Sequence, residues 1–382
     1  MRTKINGNKF NLQANLFERF LFSLVLYKND KLNSISVQNE RAKLIARMIS
    51  IERWFILRGA TAGAICGIVC SLGVYLAEPF WIEGPSPLIE LLPYYCISLG
   101  IGAIATLFEI CYLYWDGARC SLSMGILAGV MKEEGRDDLE AIDLSLLRAG
   151  LETPPCTQIW HGIDPLFGIS RFRIISVALL YKLKIAATSA LVKGLVRKIV
   201  ARLSGRVVAR SLVELVTVPV FALWNAFICR KIMREARLRA LGPHLVIEIY
   251  KNTFPQGFST LEKALQEAYL LSIREKIVTS NCRHPNLARM ARKMFDEASV
   301  STSKLFDNQC LVSKISKMSL SMQKMVFEFL IAISALDGKI TKKERLMIAR
   351  IAGFVKVDPA LAIRKAKLYA ASAIDKGFIL QA

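Results

Sequence analysis

The sequence predicts an all-α integral membrane protein, in which a transmembrane helical hairpin is joined to a soluble C-terminal helical domain. Apolar residues make up 53% of the 382-residue chain, a share typical of proteins with membrane-embedded segments. Residues 59–77 and 91–108 carry no charge, and each stretch approaches the ~20 residues that cross the hydrocarbon as a helix. From residue 258 onward, apolar residues recur at the spacing of soluble amphipathic helices.

The connection between the two uncharged stretches indicates an antiparallel pair with a defined orientation. Loop 78–90 contains three prolines and a glycine, which break a helix, and it has no Lys or Arg. Arg53 and Arg58 precede the first stretch. Because basic flanks stay cytoplasmic, we expect both termini inside and the loop outside. Trp54 at the inner boundary and Trp81 at the outer one agree with an aromatic belt.

Small residues mark one face of the first span. Gly59, Gly63 and Gly67 recur every four residues, a pattern that allows close contact between helix backbones. One interpretation is homodimerisation. The other, which we favour, is packing against the second helix of the same hairpin, with Gly100 and Gly102 opposite.

Residues 173–229 form a second apolar region with a strongly basic centre. Lys182 and Lys184 interrupt its first half, and its second half is uncharged only over 215–229. The connecting stretch has the pattern of a basic amphipathic helix, whose bases are Lys193, Arg197, Lys198, Arg202, Arg206 and Arg210. Two spans here would place those bases outside, against the positive-inside rule. We therefore predict interfacial or shallow re-entrant helices; a second hairpin and a solvated helix face are the alternatives.

The net charge of +21 indicates attraction to an anionic surface. The long apolar stretches favour anionic lipid headgroups over nucleic acid as that surface, with the basic residues of 193–210 as the headgroup contacts. The nine Cys are scattered without a CxxC pair, which is typical of packing cysteines in a reducing compartment.

Composition shifts divide the chain into five predicted segments. They are basic N-terminal helices (1–58), the hairpin (59–115), linker helices (116–172), the basic membrane-associated region (173–251) and a soluble helical domain (252–382). We expect Gly242 and Pro243 to end the helix that closes the basic region.

Capping signals place helix starts in the C-terminal domain. Ser259 with Glu262, and Thr341 with Glu344, have the spacing of capping boxes. Asp358 before a proline predicts an N-cap for a last helix.

The DGKITKKE motif at 337–344, set between two apolar helices, resembles the turn of the TerB-like domain of tellurite-resistance-associated proteins. The resemblance covers about 319–375, and the whole layout is similar to bacterial membrane proteins that join such a domain to a helical hairpin. It implies a metal role for Asp337 and Glu344, membrane-associated stress-response complexes as partners, and the bacterial inner membrane as location. Lys342 and Lys343 depart from the acidic or neutral residues usual in the family. The alternative role for Asp337 and Glu344 is helix capping.

Catalytic signatures are missing from the sequence. It has no P-loop, HExxH, nucleophile elbow or dinucleotide-binding turn after a strand, so we expect neither an enzyme nor a bound cofactor. Glu109, at the inner end of the second span, is the best candidate for an intramembrane ionisable group. We expect it to pair with Arg58 or another interfacial base, with a proton or ion role as the alternative.

These observations favour a membrane-anchored, non-enzymatic scaffold or stress-response sensor. Its C-terminal helices would bind a protein partner in the cytoplasm, and a homo-oligomer is compatible with the glycine face. Two alternatives stay open: a channel or transporter component with four spans, and a secreted bacterial effector inserted in a host membrane.

Overall fold

The computed structural model describes residues 41–80, 90, 92–130, 145–146, 148–150, 208–281, 284–298 and 310–375. Every regular element in these ranges is helical, which confirms the predicted all-α class. The helices are α1 (Arg41–Ala77), α2 (Leu92–Leu127), α3 (Val208–Thr253), α4 (Lys263–Ser280), α5 (Pro285–Glu297), α6 (Leu311–Ile315), α7 (Leu320–Ser334), α8 (Lys342–Val355) and α9 (Pro359–Asp375).

Helices α1 and α2 contain the two uncharged stretches and extend beyond them. Helix α1 begins at Arg41, and α2 continues to Leu127. Pro79 interrupts the helical hydrogen-bond pattern where α1 passes into a short 3-10 turn, Glu78–Phe80. Both helices are long and apolar enough to cross a membrane.

The chain divides into two compact units. The described part of the hairpin unit comprises residues 49–80, 90, 92–120 and 208–233. The C-terminal unit contains residues from 234 onward together with the described residues of 41–48 and 121–150. The predicted domain boundary at 252 therefore differs from the structural one, because Leu238, Leu245 and Ile249 already belong to the core of the C-terminal unit.

Helix α3 contradicts the predicted stop at Gly242 and Pro243, since it continues to Thr253. A tertiary contact is made at this turn of α3. The Asn286 side chain lies against Gly242, where an added Cβ would approach its Oδ1 to 1.9 Å. Its Nδ2 donates to the carbonyls of Leu238 and Leu336, both at 3.1 Å. Pro243 lacks the backbone donor that would bond the Arg239 carbonyl, and the Asn286 amide adds a bond to the carbonyl just before it, that of Leu238.

Aromatic side chains fill the core of the C-terminal unit. Phe254 packs edge-on against Phe258 and Tyr269, with ring centroids 5.1 and 4.9 Å apart. Tyr269 in turn meets Phe329 of α7 at 5.1 Å. Such edge-to-face pairs contribute beyond the area they bury. The cluster joins the end of α3 to α4 and α7, and burial raises the pKa of Tyr269 to about 12.

The capping predictions have mixed outcomes. The Thr341 capping box is confirmed, with its reciprocal Glu344 bond. Asp358 is confirmed as a cap, since its carboxylate accepts from the N–H groups of Ala360 and Leu361.

The capping box predicted at Ser259 and Glu262 is wrong, because Glu262 itself is the N-cap of α4 and makes no side-chain cap bond. The Gln266 amide instead donates to the carbonyls of Phe258, Ser259 and Leu261. Residues Phe258–Thr260 form a 3-10 turn there.

Candidate functional site: a buried ion cluster

Asp337 and Glu344, the two residues singled out from the sequence, converge inside the C-terminal unit. Asp337 follows α7 in a turn that Gly338 completes with a φ of +68°. Glu344 is in the first turn of α8, where its second carboxylate oxygen accepts from the Thr341 N–H at 2.6 Å. The local capping geometry therefore aims both carboxylates into one buried space.

Lys276 of α4 occupies the space between these carboxylates. Its Nζ lies 2.9 Å from Asp337 Oδ2 and also donates to Glu344 Oε1. A third bond reaches the carbonyl of Ser334 at 3.2 Å. The ammonium has three donors, and each has an acceptor. The side chains of Lys276 and Glu344 are 1% and 0% exposed, so the cluster is sealed from solvent.

Coulombic attraction keeps the buried ammonium charged. Burial lowers the pKa of Lys276, but the adjacent carboxylates of Asp337 and Glu344 more than offset it, so that its pKa is raised above 10.5. One ammonium and two carboxylates leave a formal charge of −1. Backbone N–H groups compensate part of it, since Lys339 N–H donates to Asp337 at 3.4 Å. Removing one partner of such a cluster leaves an uncompensated buried charge.

The donor set does not fit a resident divalent metal. Calcium takes six to eight oxygen ligands and magnesium six, whereas this cluster supplies two carboxylates already bound to an ammonium. Within the described ranges, no group of three or more His, Cys, Asp or Glu side chains has the geometry to hold a metal ion. Asp337 and Glu344 thus act on an internal cation that belongs to the protein itself.

Sequence reasoning missed Lys276, although a signal was available. The buried face of α4 includes Leu265, Ala268 and Ser272, and one more helical turn along that face reaches Lys276. A lysine on a core-facing position needs a buried anionic partner. Its position on that face therefore indicated a carboxylate elsewhere in the core, without saying which one.

A second polar cluster in the C-terminal unit was also missed. His284 Nε2 lies 3.1 Å from Glu235 Oε1, and Arg239 Nε lies 2.9 Å from the same oxygen. His284 Nδ1 accepts from the Asn286 N–H and so caps α5. Burial raises the pKa of Glu235, but the bond from His284 and the charge of Arg239 outweigh it and hold that pKa well below 4.5.

In the hairpin unit, the predicted glycine face packs on α3. A Cβ added at Gly63 would lie 2.6 Å from the Phe221 carbonyl oxygen, and one at Gly59 would lie 2.3 Å from Cys229 Sγ. At Gly67 the nearest atom belongs to Val218.

The expected partner, the second hairpin helix with its own glycines, is therefore wrong. Nothing lies within 4 Å of a Cβ added at Gly100, and only Cys70 approaches one at Gly102. Small residues allow close approach to any neighbouring helix, and α3 is the neighbour whose backbone comes nearest to them.

Polar contacts in the hairpin unit also differ from expectation. Glu109 accepts from the Asn225 amide, which in addition donates to the Gly59 carbonyl at 3.2 Å. The predicted pairing of Glu109 with Arg58 is wrong. Arg58 instead forms a two-point contact with Asp116, with distances of 2.7 and 3.1 Å. A guanidinium and a carboxylate match each other well in this bidentate geometry. The carboxylate comes from Asp116, which is two helical turns after Glu109 in α2.

The predicted headgroup contacts fall mostly outside the described residues. This applies to Lys193, Arg197, Lys198, Arg202 and Arg206. Arg210 is in the first turn of α3. The headgroup assignment stays a prediction.

The outer surface of α1 and α2 is apolar and exposed. In the most apolar stretch of α2, only 6% is buried within the protein. The large apolar side chains with more than half of their surface exposed include Ile65, Ile68, Leu72, Tyr75, Leu99, Leu107 and Phe108. Soluble proteins rarely expose a continuous patch of this kind. The fold and its surfaces thus define an all-helical protein with two candidate membrane spans and a separate helical unit built around a buried ion cluster.

Comparison with known proteins adds no family to this description. No protein-family model matches the chain, and neither curated proteins nor solved structures match it. The resemblance of residues 319–375 to the TerB-like domain stays a prediction.

Proposed function

We propose that the chain is a membrane-anchored, non-enzymatic scaffold or stress-response sensor that presents a helical protein-binding unit in the bacterial cytoplasm. The observation that carries this proposal is the contrast between the two units. Helices α1 and α2 expose apolar side chains along most of their length, whereas the C-terminal unit encloses a core of its own.

The membrane location is supported by the free energy of transferring the exposed apolar side chains of α1 and α2 from water to lipid. Covering a large apolar side chain with lipid hydrocarbon is favourable by about 1.5–3 kcal/mol relative to leaving it in water. Ile65, Leu72, Leu99 and Phe108 each have more than half of their surface exposed and would gain from this transfer. Lys and Arg residues are present before residue 59, whereas loop 78–90 contains none. This charge distribution supports an inner-membrane orientation with both termini in the cytoplasm.

The scaffold role is supported by the chemistry of the C-terminal unit. Its most distinctive polar group, the Lys276 cluster, is sealed from solvent and saturated with hydrogen bonds. Such a cluster stabilises and specifies a fold, and it offers no open position to a substrate. Binding of a partner through the outer surface is the role that fits this arrangement.

Membrane extraction and topology mapping test the proposal. We expect the full chain to stay in bacterial membranes through alkaline carbonate washing and to require detergent for extraction. A single cysteine placed at Ser86 in an otherwise cysteine-free chain should react with an impermeant maleimide from outside, and one at Ser319 should not. A chain that leaves the membrane without detergent, or a Ser86 site labelled only after lysis, contradicts the proposal.

A channel or transporter component is the second candidate, and one observation favours it. Helix α3 packs on α1 within the hairpin unit through the Asn225 amide and Gly63, and its Leu223 and Phe227 are exposed. A third helix of this kind is compatible with a larger span bundle. Labelling of a cysteine at Ser204 from outside would support this candidate, and labelling only from the cytoplasm would support the scaffold.

A further inference from the structure

Helices α8 and α9 expose large aliphatic and aromatic side chains on the surface of the C-terminal unit. Leu346 is 64% exposed and Leu361 is 59% exposed. Phe354 and Leu368 each have slightly more than half of their surface exposed. Scattered single apolar residues are ordinary on a protein surface, but here four large ones are exposed on two consecutive helices that pack together.

Basic residues surround these apolar side chains. Lys342 and Arg350 are one helical turn before and after Leu346, and Arg364 lies between Leu361 and Leu368 on one face of α9. In the sequence, α8 and α9 together carry seven Lys and Arg against two acids. One acid is Glu344, which is buried with Lys276, and the other is Asp375 at the end of α9. Glu275 of α4 pairs with Arg350, and Glu328 of α7 pairs with Lys365. The other five bases of α8 and α9 keep the exposed charge of this face positive.

The charge of this face distinguishes between the partners that could cover it. A second copy of the same face would bring like charges together, which is destabilising. Protein interfaces are depleted of lysine and enriched in arginine and aromatic residues, whereas lysine is the commonest base of these two helices. Interleaved bases and large apolar side chains are typical of surfaces that lie at the headgroup boundary of anionic lipid.

We propose that the exposed face of α8 and α9, formed by Leu346, Phe354, Leu361 and Leu368 with their basic neighbours, binds the anionic surface of the membrane. The apolar side chains enter the boundary between headgroups and acyl chains, and the Lys and Arg heads contact lipid phosphates. This inference rests on the proposed membrane anchoring, which would keep the unit at a high effective concentration near the lipid.

Hydrogen exchange on the reconstituted full chain tests the proposal. The chain is placed in vesicles of phosphatidylcholine alone and in vesicles that also contain phosphatidylglycerol. We expect amides of α8 and α9 to exchange severalfold more slowly in the anionic vesicles, while those of α7 stay unchanged. Added salt should remove the difference, because exposed charges are screened.

Charge-reversal and apolar-to-acid variants of this face test which side chains are responsible, and a variant of α7 is the matched control. Leu361→Glu with Leu368→Glu should abolish the protection, and so should Lys342→Glu with Arg364→Glu. Met325→Glu, at an exposed apolar position on α7, should leave it intact. The substituted positions are on the surface, so folding of the unit is checked by unchanged exchange in the α4 core.

The outcomes separate the two proposals. Equal exchange in both vesicle types overturns the lipid face while leaving the anchor in place. Protection that appears only when an acidic protein partner is added also overturns it, in favour of protein docking. Failure of the chain to float with either type of vesicle contradicts the membrane anchor itself.

Discussion

The Nζ atom of Lys276 lies 2.9 Å from Oδ2 of Asp337, a residue 61 positions later in the chain. This bond joins α4 to the turn that follows α7, and the Glu344 carboxylate brings the start of α8 to the same ammonium. Three elements of the C-terminal unit therefore meet at one buried charge. Substitutions in this cluster therefore test its contribution to the stability of the C-terminal unit.

Replacing the central cation should destabilise the C-terminal unit strongly. Lys276→Met leaves two buried carboxylates without their cation, which should lower the free energy of unfolding by about 3–5 kcal/mol. The measurement is hydrogen exchange of α4 peptides in the detergent-solubilised full chain. Lys263→Met, at an exposed position of the same helix, is the control and should change little. Adding Asp337→Asn and Glu344→Gln to Lys276→Met should recover much of the loss; no recovery would show that charge is not the cause.

The Lys276 cluster should also make the unit sensitive to alkali. The pKa of Lys276 is raised above its ordinary 10.5, so the stabilisation is fully present below that value and is lost as the pH rises through the folded-state pKa. We expect unfolding of the wild type to be steep with pH above about 10.5. The variant with all three charges removed should lose this part of the dependence, and identical alkaline profiles for both proteins would disprove the assignment.

Glu235 should make the stability of the C-terminal unit depend on pH in the acidic range. Its pKa is held below the ordinary 4.5 by His284 and Arg239, despite burial. The stabilisation is therefore present above 4.5 and is lost as the pH falls towards the folded-state pKa. We expect Glu235→Gln to reduce stability at neutral pH and to flatten the acid limb of a pH titration of unfolding. Asp296→Asn on α5 is the comparison, and an equally steep acid limb in Glu235→Gln would count against this role.

The turn at Gly338 should not accept a side chain. Its φ of +68° is unfavourable for other residues, and an added Cβ would lie 2.7 Å from Ile374 Cδ1. Gly338→Ala should destabilise the C-terminal unit by more than about 1 kcal/mol. Gly353→Ala is a matched control within α8, where nothing lies within 4 Å of the new Cβ; it should stabilise the helix by about 0.5–1 kcal/mol. The measurement is the thermal unfolding midpoint of both variants, which should fall for Gly338→Ala and rise for Gly353→Ala.

Close approach of α3 to the hairpin should depend on Gly63. An added Cβ would lie 2.6 Å from the Phe221 carbonyl oxygen and 2.7 Å from the Asn225 amide nitrogen. Gly63→Ala should therefore destabilise the hairpin unit by about 1–3 kcal/mol, as overpacking does. Gly100→Ala places the same methyl group in open space and should be tolerated. Detergent-solubilised thermostability, read from the fraction that stays monodisperse after heating, should separate the two.

Part of the fold was predictable because the relevant signals are local. The uncharged stretches of α1 and α2, the Thr341 capping box and the Asp358 cap depend on residues within a few helical turns of one another. The predicted end at Gly242 failed for the opposite reason. Asn286, 44 positions after Gly242 in the chain, lies against this turn and donates to the Leu238 carbonyl. No signal at Gly242 and Pro243 indicates that distant amide.

The candidate site was predictable only in part. Its two carboxylates were found from the DGKITKKE motif, and the motif also determined their local caps. The cation between them was not found, because Lys276 comes from another helix and pairs with Glu344 across 68 positions. In the same way, the glycine face was visible in α1, but its partner Asn225 is 166 positions from Gly59.

The amino-acid sequence by itself determined the helical class, the two apolar helices long enough for a membrane, the distribution of charge and the local caps. These properties follow from residue type and spacing along one helix. The tertiary structure alone decided which polar groups pair with one another: Lys276 with Asp337 and Glu344, Arg58 with Asp116, and Asn225 with Glu109. Burial removes water from one or more members of each pair, namely Lys276, Asp337, Glu344, Asp116 and Asn225. A buried polar group needs a partner, and only the packing of distant helices selects which partner that is.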